Sequence, residues 1–72
     1  MTCEPLHELV INYKMELDTI ANSTDSAMTK LCLYINLSFD YGEVLKANDE
    51  ITLNDASVFG ALTLRAFNNV LN

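Results

Sequence analysis

The chain predicts an all-α fold, a compact three-helix domain with helices near residues 4–21, 25–46 and 54–71, with dimerisation open as a way to enlarge a small core. Three observations carry this. Apolar residues recur at helical spacing in the first and last thirds, only two glycines and one proline interrupt 72 residues, and the one strand-like stretch has no partner strand elsewhere in the chain.

In the first helix the apolar positions are Leu6, Leu9, Val10, Tyr13, Leu17, Ile20 and Ala21. Steps of three and four along a 3.6-residue turn place them on one stripe. Pro5 suits a first-turn position, where its missing N–H has no intrahelical partner, and Glu4 and Glu8 set negative charge near the positive end of the helix dipole. The sequence NSTD at 22–25 then supplies an Asn suited to a left-handed C-terminal cap, and Thr24 and Asp25 as caps for the helix that follows.

The middle segment, LCLYINLSFDYG at 31–42, is ambiguous. Its odd positions from Leu31 to Tyr41 are all apolar, which is a strand pattern, but a strand needs a partner for its backbone groups. Only the very short ITL at 51–53 offers one, so a strand would have to pair across two chains. The helix reading places Met28, Leu31, Cys32, Ile35 and Phe39 on the inward stripe and Thr29, Asn36, Asp40 and Glu43 on the polar side, with Gly42 kinking or ending the helix.

The last segment carries Thr52 and Asp55 at capping-box spacing, or Asn54 as a direct cap. Phe59, Leu62, Thr63, Ala66, Phe67 and Val70 follow on one face, and Ser57, Ala61, Arg65, Asn68 and Asn69 on the other. Gly60 is assigned to the apolar face, where it would allow a neighbouring helix to approach closely.

Function classes are bounded by composition. Ten acidic residues against four basic ones give a net charge of −6, and Lys14, Lys30, Lys46 and Arg65 form no basic stripe able to neutralise several phosphates, so direct nucleic-acid binding and anionic membranes are not expected. No run approaches the roughly 18 apolar residues of a membrane span, and the N-terminus has no signal-peptide pattern. Two cysteines without a CxxC spacing suit a reduced, cytoplasmic setting.

An enzyme is not expected. His7 is the sole histidine, and no G-x-S-x-G, phosphate-loop or H-E-x-x-H pattern occurs. No cofactor or metal is assigned: Cys3, His7 and Cys32 would make a scattered and incomplete ligand set, and Cys32 reads more simply as a small core hydrophobe.

The most informative feature is apolar surface beyond the main stripes. Ile11 and Met15 on the first helix, and Leu33, Leu37, Tyr41 and Val44 on the second, point away from the assigned core and form the candidate face for a protein partner or a second copy. The expected function is a small acidic regulator or inhibitor that occupies a partner protein's surface. In size and character the chain resembles the accessory proteins that phages and mobile elements encode to bind host enzymes.

Two alternatives accompany this reading. One is a nucleic-acid mimic, with carboxylates at Glu4, Glu8, Glu16, Asp18, Asp40, Glu43, Asp49, Glu50 and Asp55 standing in for phosphates, Asp40/Glu43 and Asp49/Glu50 being the key pairs. The other is a self-assembling structural protein. A solvated acidic surface that keeps an apolar small chain in solution explains the same charges.

Overall fold

The computed structural model describes the backbone of residues 3–72 and the side chains from Leu6 onward. It contains three α-helices in succession, α1 (Cys3–Ala21), α2 (Ala27–Ala47) and α3 (Leu53–Leu71), close to the predicted spans. The roles assigned to Cys3, Glu4 and Pro5 fall outside the described side chains. Among the described residues there is no strand: the stretch 31–42 is helical throughout, and each helix satisfies its own backbone without a partner chain.

Local chemistry sets the boundaries. Ser26, and neither Thr24 nor Asp25, caps α2: its extended backbone (φ −65°, ψ 162°) lets Oγ accept from the Thr29 N–H at 3.2 Å. Thr52 and Asp55 form the full capping box on α3, with Asp55 N–H donating to Thr52 Oγ1 at 3.1 Å and Thr52 N–H donating to Asp55 Oδ2 at 3.4 Å. Two otherwise orphaned donors are thereby used.

The end of α1 departs from expectation, since no non-glycine residue among those described has positive φ. The last turn tightens instead, with Ser23 N–H and Oγ both donating to the Ile20 carbonyl, at 3.1 and 2.8 Å. Lys30 Nζ, reaching back from α2, donates to the Ala21 carbonyl at 2.9 Å, placing a cation at the negative end of the α1 dipole. Gly42 does not end α2, which runs on to Ala47 and is closed by Asn48 N–H on the Leu45 carbonyl at 3.3 Å.

Among the described residues the buried ones are Tyr13 and Leu17 of α1, Tyr34 of α2, and Phe59 and Ala66 of α3, with Tyr13 and Tyr34 fully enclosed. Around them pack Leu6, Leu9, Val10 and Ile20, then Leu31, Leu37, Tyr41 and Leu45, then Leu62, Phe67 and Val70. Both outer helices thus bury most of the predicted faces. Ala21 and Gly60 are the exceptions: both are exposed, and a Cβ at Gly60 would meet nothing within 4 Å, so it serves no close approach within the chain.

The middle helix is rotated from its predicted phase. Of the expected inward stripe only Leu31 packs against the core, whereas Met28, Cys32, Ile35 and Phe39 are exposed. Tyr34, Leu37, Tyr41 and Leu45 face inward in their place. This phase brings two tyrosine rings into the core where the predicted one offered a single phenylalanine, and aromatic rings carry the largest burial area per residue. Tyr13 lies 4.7 Å from Tyr41 and 5.3 Å from Phe59 between ring centroids, Tyr41 lies 6.1 Å from Phe59, and Tyr34 stacks on Phe67 at 6.0 Å.

The rotated phase separates two phenylalanines that a pattern count treats alike. Phe59→Ala is expected to cost about 3–5 kcal/mol as a core truncation, and Phe39→Ala to stay within about 0.5 kcal/mol of the parent as a surface change in dilute protein. Urea unfolding followed by circular dichroism measures both, and a large loss at Phe39 would restore the predicted phase.

Candidate functional site

On α2, Lys30 and Tyr41 mark the side that faces α1, through Ala21 and Glu16 respectively. At about 100° per residue, Met28, Cys32, Ile35 and Phe39 fall within about 60° of one another, on the far side of Tyr34 from that boundary. On α3, Leu62, Arg65, Ala66 and Asn69 line the groove shared with α1, while Phe67 meets Tyr34 of α2. Beyond Phe67, Leu53, Gly60, Leu64 and Leu71 share an arc of about 40°. Both rows therefore border the same α2–α3 groove.

This face is apolar and largely uncovered: Met28 is 69% exposed, Phe39 68%, Leu64 65%, Leu71 68% and Leu53 89%. Scattered exposed hydrophobes are ordinary, but a contiguous row on two adjacent helices is the signature of an interaction surface. The pairs Tyr34–Phe67 and Tyr41–Phe59 show that α2 and α3 run antiparallel. That register sets Gly42 near the level of Gly60, and a Cβ on either would meet nothing within 4 Å, so neither glycine is there to admit a neighbouring helix of the chain.

The predicted apolar residues divide between faces. Leu37 and Tyr41 pack against the core and belong to no outer face. Ile11, Met15, Leu33 and Val44 are exposed, but Ile11 and Met15 lie on α1 and Leu33 and Val44 on the flank of α2 away from the Met28–Phe39 row. The structure does not bring the six together. Sequence reading missed Leu53, Leu64 and Leu71, whose intervals of eleven and seven residues are a helical repeat offset from the core stripe.

Among the predicted acidic residues, Asp40, Glu43, Asp49 and Glu50 are all exposed. Several nominated carboxylates have local tasks: Asp55 closes the capping box, Glu43 pairs with Lys46 at 3.3 Å, and Glu16 accepts the Tyr41 hydroxyl proton at 2.5 Å. Asp49 and Glu50 sit in the α2–α3 connection, where Glu50 N–H donates to Asn48 Oδ1 at 3.1 Å. They form no ordered row.

Cys32 is a free, exposed thiol on the α2 row and not the core residue expected, His7 is exposed, and Cys3 lies outside the described side chains. Among the described residues no group of three or more His, Cys, Asp or Glu is placed to hold a metal. The half-open groove under Lys14, Asp18 and Arg65 holds about 120 Å³, and a second one between Ala27, Lys30, Tyr34, Asn69 and Val70 holds about 250 Å³, each below the roughly 300–1,000 Å³ of typical small-molecule sites.

Two tyrosines are electrostatically perturbed. Burial, and then its hydrogen bond to the Glu16 carboxylate, push the Tyr41 hydroxyl from 10.0 up to about 12; burial and the charge of Asp18 raise Tyr34. Raised folded-state values mean the neutral form is favoured by folding, so this contribution is complete below about pH 10 and is lost as pH rises from about 10 to 12. Tyr41→Phe is expected to flatten that part of the pH–stability curve while leaving neutral-pH stability within about 1.5 kcal/mol of the parent. Urea midpoints between pH 8 and 12 test it, and an unchanged alkaline slope would count against the Glu16–Tyr41 bond.

Among the described residues no helix is long and apolar enough to cross a membrane. Comparison with family models, curated proteins and solved structures gives no match, so a functional reading has to be built from the α2–α3 face itself.

Proposed function

We propose that the chain is a non-enzymatic protein-binding module of the cytoplasm, which regulates or inhibits a partner by covering part of its surface with the α2–α3 face. The observation that carries this reading is the row Met28, Cys32, Ile35 and Phe39 lying beside Leu53, Leu64 and Leu71, all outside the core. Interface centres are depleted in charge and enriched in aromatic residues and methionine, and this face offers Phe39 and Met28, with the Glu43–Lys46 ion pair in line with the row at the C-terminal end of α2. The acidic residues then set solubility and bias encounter towards a basic partner.

Association through apolar contact depends weakly on salt, whereas imitation of a phosphate backbone depends on it steeply. The test is capture by the tagged chain from a nuclease-treated lysate of its native host, in low and high salt, beside Phe39→Asp/Leu64→Asp and a Met15→Glu control. A protein retained by the parent and the control at both salt levels, and lost from the double variant, is the expected outcome. Retention of the same proteins by the double variant, or release of every one by salt, would overturn the reading.

A further inference from the structure

We infer that the two grooves meeting over Tyr34 form one binding site for a small doubly charged oxyanion, a phosphate or a dicarboxylate, held between cations from all three helices. The site does not depend on the reading of the α2–α3 face as an interface. Lys14 of α1 and Arg65 of α3 line the first groove and Lys30 of α2 the second, while Ala21, Tyr34 and Asn69 line both. The chain has only four lysines and arginines, far apart in sequence, and the fold gathers three of them here.

Tyr34 provides the polar floor of the site. It is 1% exposed, and its hydroxyl has no hydrogen-bond partner among the described residues, whereas those of Tyr13 and Tyr41 meet Thr63 and Glu16. No described polar side-chain atom is sealed off without a partner, so the Tyr34 hydroxyl opens into the grooves it lines. A buried tyrosine hydroxyl ordinarily has a hydrogen-bond partner, and here the grooves are the only place for one. Burial and the charge of Asp18 keep this hydroxyl protonated, which makes it a donor towards an anion.

The surrounding cations are not engaged by carboxylates. Among the described residues the ion pair is Lys46–Glu43, and Lys14 and Arg65 form none although Asp18 shares their groove. Lys30 donates to the Ala21 carbonyl at 2.9 Å, which holds the ammonium at the rim and leaves two of its three donors available. Cations also offset the negative ends of helices, but only within the last turn. That accounts for Lys30, whereas Lys14 and Arg65 stand more than a turn before the ends of α1 and α3.

Charge and size define the ligand. Three cations against Asp18 give the lining two net positive charges, within a chain of net charge −6, which complements a dianion. Volumes of about 120 and 250 Å³, against about 30 Å³ for one water, suit an ion of several heavy atoms. Leu17, Leu62 and Ala66 wall the first groove and strengthen the attraction by excluding water from one side.

The test is titration of the full chain with inorganic phosphate and, separately, with succinate, followed by amide NMR at ionic strength held constant with chloride. Saturable shifts centred on Ala21, Tyr34 and Asn69 are expected. Saturation by phosphate alone identifies a phosphate ligand, by succinate alone a dicarboxylate, and by both a general oxyanion site. Arg65→Gln is expected to weaken binding about tenfold, as loss of one charge-assisted contact, and Tyr34→Phe several-fold, while Lys46→Gln leaves it unchanged. Asp18→Asn is expected to tighten binding, a gain that a damaged fold cannot imitate, and Asp40→Asn, with the same change in net charge, to leave it unaltered. Shifts that stay linear with both anions would overturn the site. So would an Asp18→Asn chain that binds no tighter, or equal losses in Arg65→Gln and Lys46→Gln.

Discussion

The packing of Tyr13 against Tyr41 and Phe59 is the contact on which the three helices depend, because it joins one ring from each of them at centroid distances of 4.7, 5.3 and 6.1 Å. The arrangement is fixed in orientation by a chain of hydroxyls. Thr63 gives its single proton to the Phe59 carbonyl at 2.7 Å, so in the Tyr13–Thr63 contact the tyrosine is the donor. Tyr41 gives its proton to Glu16. Each ring is thus apolar towards the centre and hydrogen-bonded at its tip, an economical use of aromatic residues in a chain too short for a broad core.

That cluster also decides what is left outside. Once Tyr34, Leu37, Tyr41 and Leu45 turn inward, the 3.6-residue repeat carries Met28, Cys32, Ile35 and Phe39 out along the α3 side. The external face is therefore a consequence of core packing, and the two cannot be chosen independently. On α3 the same logic puts Leu53, Leu64 and Leu71 outside, because Phe59, Ala66 and Phe67 already fill the inner arc. The external face and the core compete for the apolar residues of a sequence that is half hydrophobic.

The outer helices were legible because one apolar stripe dominates each: Leu6 to Ile20 and Phe59 to Val70 pack as the spacing predicts. Thr52 and Asp55 announced the start of α3 equally well. The middle helix was readable as a helix but not in phase, since its apolar residues surround it and no single direction dominates. Tyr34 and Tyr41, seven residues apart, were the available signal, as a heptad interval returns to nearly the same face. The exposed apolar residues of α2 were misplaced for the same reason: with α2 turned, Leu37 and Tyr41 became core, and Met28, Cys32, Ile35 and Phe39, first taken as core, lie outward. Gly60, read as a point of close approach, proved to be open surface.

Met15 and Met28 make the central claim directly measurable. They are similarly exposed in the single chain, at 62% and 69%, but only Met28 belongs to the α2–α3 row. Methyl NMR of the chain in complex with the protein it captures from its host, with a water-soluble paramagnetic agent, compares them in one sample. The account predicts that binding shields the Met28 methyl and leaves the Met15 methyl strongly relaxed. Equal relaxation of both in the complex would contradict it.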